Sequence, residues 1–364
     1  YITHTDFYDS HPPLGKLIIA ASITLFGNVP LGWRFFNAIA GILLLGVIYG
    51  FTKDLTKNRG IAVLALFLVA IEPMALVESR VGLINIYLAL FSLAGLWFFW
   101  RWWDKPKHHI SDYILALIFF AAAASVKWIG LGAIGAALAF LVLAGWMRTE
   151  NRAKFNFWHI ALLAIIPLLY IASFTVDLIQ TRSPLLEHFI WWHKSTWNYH
   201  AHLDATHPYG SSWWSWAIML RPIWLYYQSP TPGTILGIVE VGNIVTWIGG
   251  LIALFATMFT LGYDRKNLER NVFLILTYLA LYLPWIFISR VKFIYHYFVP
   301  VLLLLILLAT VTYERLLKKP EYRPIGIIFL TLGFAFFVYF LPLLMGLPLS
   351  DEWYRHHMWF RSWI

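Results

Sequence analysis

Long apolar segments, interrupted by charged residues or by Gly and Pro, occupy most of the sequence. A bilayer core of about 30 Å needs roughly 20 apolar residues in one helix, so segments of that length predict membrane-spanning helices. The ten predicted spans are 31–52, 60–77, 83–101, 111–126, 129–147, 157–178, 236–262, 272–288, 294–312 and 324–345. Residues 1–364 are therefore expected to form one all-α polytopic membrane domain, with amphipathic helices beside the membrane.

Basic residues mark every second connection between the predicted spans. The positive-inside rule places such connections in the cytoplasm. The outer or lumenal face then holds residues 1–30, a long loop at 179–235 and the C-terminal segment 346–364. The basic residues of the cytoplasmic connections are Lys53, Lys57, Arg59, Arg101, Lys105, Lys107, Arg148, Arg152, Lys154, Arg265, Lys266, Arg270, Arg315, Lys318, Lys319 and Arg323.

The composition excludes an ordinary water-soluble enzyme. Apolar residues make up 60% of the chain and charged residues only 12%, and the net charge of +9 agrees with basic cytoplasmic loops. Since the chain has no Cys, disulfides, thiolate metal sites and Cys nucleophiles are excluded. The remaining Lys and Arg lie towards the outer face, where the topological rule does not require them, so they are candidates for ligand binding.

The segment 7–16 carries the first group of polar residues on this face. Pro12 and Pro13 fix an extended entry, and a helix is predicted from Leu14 to Phe26, too short to span a bilayer. Asp9, His11 and Lys16 would then lie at the depth of the lipid headgroups. The same pattern is also typical of a simple turn and helix cap.

Three short outer junctions add more charge. Glu78 and Arg80 precede one span, Lys127 separates two others, and Arg290 is followed by Tyr295 and His296. Guanidinium and ammonium groups are suited to binding a phosphate. The alternatives are a self-neutralising Glu78–Arg80 pair, a snorkelling Lys127 and interfacial anchoring of 282–300.

The loop 179–235 is rich in rings. From His188 to Tyr227 it contains seven Trp, four Tyr, one Phe and five His, which predicts a membrane-lying belt, a wall that binds sugar and lipid, or both. His200, His202, Asp204 and His207 match no metal-binding spacing, so no metal site is predicted, although metal dependence stays open.

Several motifs carry a specific resemblance. They are His11-Pro-Pro-Leu-Gly-Lys16, Glu78-Ser-Arg80, Lys127-Trp-Ile-Gly130, residues 207–216, Tyr295-His-Tyr297 and residues 358–364. In this order they resemble the protein O-mannosyltransferases, integral-membrane glycosyltransferases of the GT-C type. The 57 residues of 179–235 leave no room for the soluble MIR domain of eukaryotic members. The resemblance implies a prokaryotic form in the bacterial plasma membrane, or in the ER membrane if the chain is eukaryotic.

The resemblance implies a polyprenyl- or dolichyl-phosphate-mannose donor, a Ser or Thr acceptor on a translocated protein, and transfer with inversion. The family's main base is expected upstream of Tyr1, with the first helix, and Asn85 stands where many relatives have Asp. The implied residues are Asp9, Glu78 and Arg80 in catalysis, Lys16, Lys127, Arg221 and Arg290 at the donor and its phosphate, and His11, His207, Tyr209, Trp213, Trp214, Tyr295 and His296 in the pocket.

Two other functions stay open at this point. A related GT-C enzyme could transfer sugar to a glycolipid or lipid A, and a transporter or flippase could move the lipid-linked sugar. A transporter predicts repeated half-molecules and charges at span centres, which the sequence does not show. The expected partners are the lipid-linked donor, a secreted or membrane protein, membrane lipid and the secretion machinery, with no nucleic acid; the oligomeric state stays open.

Overall fold

The structure, a computed structural model, describes residues 8–104, 109–147, 157–181 and 184–364. Helices dominate these ranges. In chain order they are α1 Leu14–Phe26, α2 Pro30–Thr56, α3 Arg59–Ala70, α4 Pro73–Arg80, α5 Asn85–Asp104, α6 Ile110–Val126, α7 Leu131–Met147, α8 Phe157–Leu162, α9 Ile165–Ser173, α10 Thr175–Thr181, α11 Leu185–His202, α12 Trp213–Trp216, α13 Ile244–Thr260, α14 Leu268–Tyr282, α15 Phe298–Val311, α16 Arg323–Met345 and α17 Asp351–His357.

Six helical segments of the described ranges are long and apolar enough to cross a membrane. They are Pro30–Thr56, Trp128–Gly145, Phe157–Asp177, Arg265–Phe287, Ile294–Leu317 and Arg323–Met345. A seventh span results if α3 and α4, bent by 65°, cross together. The polytopic helical membrane fold is thereby confirmed. The count of ten is not established, because α5, α6 and α13 coincide with predicted spans without meeting the same criteria.

The segment 236–243 corrects the prediction. The span expected from residue 236 begins only at Ile244, because Thr234–Glu240 forms a strand, β2. Strand β2 pairs antiparallel with β1, Ile223–Thr231, and with the short β3, Leu349–Ser350. A short apolar run fits a strand or a helix equally well, and here its side chains alternate in burial. The fold is therefore mostly helical with a small sheet, and not all-α.

Local sequence signals explain several helix ends. The Asn58 side chain accepts hydrogen bonds from the Gly60 and Ile61 amides at the start of α3, at 2.8 and 3.3 Å. Asn243 caps α13 in the same way, which places the start of that helix after the strand. Gly346 ends α16 with a φ of 70°, a conformation that glycine adopts without strain.

Other predicted segments are confirmed or divided. Helix α1 has the predicted bounds Leu14–Phe26. The predicted span 157–178 consists of three consecutive helices, α8 to α10, and the loop 179–235 contains α11, α12 and β1. The basic residues Lys105, Lys107, Arg148, Arg152, Lys154 and Arg182, together with Tyr1, lie outside the described residues.

Helix α15 forms the centre of the bundle. Every residue from Phe298 to Thr310 is buried, and α3, α13 and α14 pack around this helix. The C-terminal end of α6, the C-terminal end of α14 and the N-terminal end of α15 lie close together and enclose the site described next. The basic residues Arg265, Lys266, Arg315 and Lys318 stand at the opposite ends of α14 and α15.

Candidate functional site

A cavity of about 450 Å³, here called the cationic cavity, lies where these helix ends meet. Its walls come from the segment before α1, the turn after α6, helix α11, and the chain that joins α14 to α15. The chemically distinctive residues that line it are Lys127 and Arg290, the imidazoles of His11, His200 and His296, and the indoles of Trp128, Trp197 and Trp285.

The charges of the cationic cavity are of one sign. Lys127 and Arg290 both line it, whereas none of the described residues in its wall is Asp or Glu. The Lys127 side chain is only 8% exposed, and its ammonium lies 5.1 Å from the centre of the Tyr295 ring. Cations that meet no acidic side chain in the cavity wall favour an anionic ligand there, and a phosphate fits both groups.

A tight turn positions Lys127. The chain leaves α6 in an extended conformation at Lys127 and enters a single 3₁₀ turn, Trp128–Gly130. A Cβ on Gly130 would lie 2.5 Å from the carbonyl carbon of Ala123, inside van der Waals contact with backbone. The turn therefore requires glycine, and the Lys127-Trp-Ile-Gly130 motif has a steric explanation.

Behind Lys127 lies a buried polar chain. The Lys127 ammonium donates to Asn85 Oδ1, and Asn85 Nδ2 donates to Glu78 Oε1 at 2.6 Å. The Glu78 carboxyl interacts electrostatically with that of Glu240, at the end of β2, and within the described residues neither Glu240 oxygen has a hydrogen-bond partner. Both carboxyl groups are fully buried. Glu78, predicted to orient the site, thus contacts Lys127 through Asn85 and does not line the cavity.

Burial shifts the titration of several of these groups. Burial, followed by repulsion from Glu78, raises the pKa of Glu240 well above its usual range. Burial lowers the pKa of Lys127 to about 8, with Glu78 and Glu240 acting in the opposite direction. Burial also lowers the pKa of His11 and that of His200, so both imidazoles are neutral at pH 7. Because its pKa stays at about 8, Lys127 keeps its charge at neutral pH.

The Pro-Pro segment is fixed by its own polar residues. Lys16 Nζ lies 2.9 Å from Asp9 Oδ1 and donates to the His11 carbonyl at 3.0 Å. Helix α11 covers the segment, since Trp192 Nε1 donates to the Asp9 carbonyl at 3.1 Å and His200 Nε2 bonds the Ser10 carbonyl at 3.0 Å. Asp9 and Lys16 therefore hold the turn that presents His11, and neither lines the cavity.

His296 is enclosed by rings on the opposite wall. Its imidazole lies 4.0 Å from the Trp285 ring and 5.8 Å from the stacked ring of Trp216, measured between centroids. Tyr295 lines a small adjoining cavity with Lys127 and His296. The predicted pocket residues His11, Tyr295 and His296 thus converge with Lys127 and Arg290.

A second, more open groove of about 520 Å³ adjoins the cationic cavity. The two share Ala201, Ser289 and Arg290 in their walls. The groove is polar, and its described wall includes Asp204, Thr206, His207, Ser211, Ser212 and Lys292. His207 therefore faces the groove and not the cationic cavity.

Other predicted site residues lie elsewhere. Arg80 Nη1 donates to the Leu344 carbonyl at 2.6 Å, near the end of α16, and Arg221 Nε donates to the Pro208 carbonyl at 2.6 Å. The remaining predicted residues outside both walls are Tyr209, Trp213 and Trp214. Arg221 holds the 207–210 turn, a role that the sequence pattern does not reveal.

Sequence reasoning missed some residues of this region. Trp285 and Trp197 line the cavity, and they were not distinguished from the many other rings of the outer segments. Glu240 was assigned to a membrane span, although a carboxylate inside an apolar run is itself a signal of a functional group. Among the residues that the structure describes, no group of three or more His, Asp or Glu forms a candidate metal site.

Two family profiles match the chain. Residues 185–363 match the C-terminal four-transmembrane region of protein O-mannosyltransferase, and residues 10–171 match the dolichyl-phosphate-mannose–protein mannosyltransferases. The chain belongs to the protein O-mannosyltransferase family. It is therefore a glycosyltransferase of the GT-C type and a multi-pass membrane protein, as the sequence motifs predicted.

Bacterial members of this family align with nearly the whole chain. The polyprenol-phosphate-mannose–protein mannosyltransferase of Corynebacterium glutamicum is 25% identical, over 97% of this chain and 81% of its own length. The protein of the same name from Mycolicibacterium smegmatis is 24% identical over the same shares.

Two solved membrane-protein structures share the fold. The S. cerevisiae Pmt1–Pmt2 complex bound to the sugar donor superposes with a TM-score of 0.83 at 14% identity, covering all of this chain and 87% of that one. ArnT of Cupriavidus metallidurans bound to undecaprenyl phosphate gives 0.60 at 18% identity, covering 89% and 53%.

Proposed function

We propose that this enzyme transfers mannose from a polyprenyl- or dolichyl-phosphate-mannose donor to Ser or Thr hydroxyls of proteins, with inversion at the sugar. The observation that carries the proposal is the cationic cavity, which presents Lys127 and Arg290 with no described acid in its wall. Supporting it, the bacterial relatives are named as polyprenol-phosphate-mannose–protein mannosyltransferases, and the Pmt1–Pmt2 complex contains a sugar donor.

The chemistry fits these two cations. The acceptor oxygen attacks the anomeric carbon, the bond from that carbon to the phosphate oxygen breaks, and the lipid phosphate gains one negative charge. Lys127 and Arg290 would stabilise this developing charge with preoriented donors in a site that excludes most water. The acceptor proton passes to a base, and the expectation that this base lies upstream of Tyr1 stays a prediction.

The rings of the cavity suit the rest of the donor. Trp128, Trp197 and Trp285 offer apolar faces for a pyranose ring and for the first isoprene units. The rings of His11 and His200 are stacked, with their centres 5.9 Å apart. Because both imidazoles are neutral, they can form hydrogen bonds with sugar hydroxyls and do not repel the cations of the cavity. We assign the sugar to this side of the cavity.

The open groove is the proposed path of the acceptor protein. It is polar, it is more open than the cationic cavity, and it meets that cavity at Arg290. An acceptor segment in the groove would bring a hydroxyl next to the sugar while its backbone bonds Ser211, Ser212 or Lys292. Contact with the secretion machinery stays a prediction.

The reaction is proposed to occur on the extracytoplasmic face. The cavity lies at the ends of α6, α14 and α15 that are opposite to the basic residues Arg265 and Arg315. Since the positive-inside rule places those basic ends in the cytoplasm, the cavity would open to the outer side, in a bacterial plasma membrane.

Arg80 is a further proposed anion contact outside the cavity. Arg34 lies close enough to repel it, and no ion pair joins either guanidinium to an acid within the described residues. One N–H of Arg80 bonds Leu344, which leaves further donors for a phosphate.

The decisive experiment supplies radiolabelled lipid-phosphate mannose and a Ser/Thr peptide to the purified enzyme in detergent. We expect label in the peptide, and none in a matched Ala peptide. Parallel reactions with a glycolipid acceptor, and uptake of the donor into proteoliposomes, test the two alternative functions. Label in the glycolipid alone, or donor transport without transfer, would overturn the proposal.

A further inference from the structure

Glu78 and Glu240 form a buried carboxyl pair that the proposed chemistry does not use. Both are 0% exposed, and they come from α4 and from the end of β2. Within the described part of the chain, Asn85 donates to Glu78 Oε1, and no other donor reaches Glu78 Oε2 or either Glu240 oxygen. A buried carboxyl that receives no hydrogen bond favours its protonated form, because an unpartnered buried charge is costly.

The charge of the pair follows from its geometry. Two adjacent buried carboxylates repel each other strongly, so the pair retains one proton and carries a single negative charge. Asn85 links this charge to Lys127, accepting from the ammonium and donating to Glu78. With the donor absent, the positive charge of Lys127 is therefore already balanced.

Lys127 is the main charged partner of the carboxyl pair, and the other titratable groups nearby do not replace it. Tyr295 faces it from the chain before α15 and is neutral, and Arg290 is a cation of the cavity. Farther charged or titratable groups that interact with Lys127 are Asp9, His11, His200 and His296. In the described structure, Lys127 is the cation that is hydrogen-bonded to the pair through Asn85.

We propose that Glu78 and Glu240 are positioning residues for the donor site, a carboxyl pair that holds one proton when the site is empty and takes up a second when a phosphate binds Lys127. The proton comes from solvent and forms an O–H bond on the pair, and no other bond changes. Its uptake leaves the charge of Lys127 to the phosphate. The inference rests on the proposed function of Lys127 as a phosphate ligand.

The first test is calorimetric. A non-transferable phosphodiester, a short-chain prenyl phosphate methyl ester, is titrated into the full chain at pH 7 in buffers of different ionisation enthalpy. This probe does not titrate near neutral pH, and Lys127 is charged there, so the bound protons report the pair. We expect close to one proton taken up by the wild type, and by Glu78→Gln/Glu240→Gln only the smaller fraction that recharges Lys127, whose pKa the two carboxyls no longer raise.

The double variant imitates the doubly protonated pair. It should bind the probe about tenfold more tightly than the wild type at pH 7.5, since one negative charge near the phosphate is removed. Glu78 and Glu240 raise the pKa of Lys127, so in the double variant Lys127 should lose its proton below pH 8, and the affinity should stay flat only up to that point, whereas the wild-type affinity falls steadily as pH rises. The exposed Glu321→Gln is the matched control and should behave as wild type.

The second test is infrared spectroscopy of the carboxyl groups. The empty wild-type enzyme should show the carbonyl stretch of a buried protonated carboxyl, and Glu240→Gln should remove this band, because Gln has no carboxyl group. Binding of the probe should add a second such band. This readout requires no activity, and it applies even if the double variant fails to fold.

The outcomes separate this inference from the proposed function. If Lys127→Met binds the probe as the wild type does, the phosphate site itself is wrong. If Lys127→Met binds weakly but the double variant takes up as many protons as the wild type, only the role of the carboxyl pair is overturned. A wild-type spectrum without a protonated carboxyl band would overturn it as well.

Discussion

Replacing Lys127 with Met tests the central cation of the proposed site. Met keeps the length and the apolar stem of the side chain but removes the ammonium. Because Lys127 is only 8% exposed, solvent screens its interaction with a bound phosphate weakly. A hydrogen bond to a charged group contributes about 1.5–3 kcal/mol, which corresponds to roughly 10- to 150-fold weaker donor binding.

The same change also has a cost for folding. Asn85 Oδ1 loses its donor, which destabilises the fold by about 1–3 kcal/mol if no water replaces it. Thermal unfolding in detergent measures this term separately. Lys127→Arg restores the charge but places a larger, planar group at a buried position, so we expect it to recover binding only in part.

Donor affinity and transfer to a Ser/Thr peptide are the assays for these variants. Lys318→Met is the matched control, because Lys318 is exposed and follows the C-terminal end of α15, whereas the cationic cavity lies at the N-terminal end of that helix. We expect this control to bind and transfer as the wild type does. Unchanged donor affinity in a folded Lys127→Met enzyme would refute the placement of the phosphate in the cationic cavity.

Three further predictions concern the same region. Arg290→Gln should weaken donor binding and also raise the KM for the peptide, because Arg290 borders both the cavity and the groove. A change in donor binding alone would contradict binding of the acceptor peptide in the groove. Gly130→Ala should lower transfer and the melting temperature together, because its Cβ overlaps Ala123, and normal melting would contradict the steric argument. Arg80→Ala should reduce transfer strongly. If the variant is less stable but binds the donor as the wild type does, the role of Arg80 is structural, through its hydrogen bond to the Leu344 carbonyl.

The pH dependence of transfer is a further prediction, and the titration of Lys127 sets its direction. The charged form of Lys127 binds the donor, and its pKa is lowered to about 8, so kcat/KM should fall as the pH rises through that value. The Lys127→Arg enzyme should keep its residual activity to higher pH. An identical fall in both enzymes would assign the titration to another group.

Much of the fold follows from the sequence because lipid imposes a simple rule on it. Helices are required wherever a long apolar segment crosses the bilayer, so α16 could be predicted almost to the residue and α2 to within four residues at its end. The strand β2 could not, since its alternation is short and its apolar residues continue without a break into α13. The bend between α3 and α4 at Glu72-Pro73 was hidden in the same way.

The site shows the same division. Lys127, Arg290 and His11 could be selected because a cation or a Pro-Pro turn at an outer junction has no topological reason to be there. What joins them depends on distant contacts, such as the bond from His200 to Ser10 or the pairing of Glu78 with Glu240 across 162 positions. No local pattern encodes such a contact, and so the sequence could not show that Arg80 and Lys16 lie outside the wall of the cationic cavity.

The burial of α15 has a consequence for how the protein assembles during synthesis. This helix has protein on every side, yet it is made after α3, α13 and α14, which surround it. The earlier helices therefore cannot close into their final bundle until α15 has left the translocon. A ribosome paused before residue 298 would leave a half-open assembly with a vacant central channel, a natural substrate for membrane chaperones and quality-control proteases.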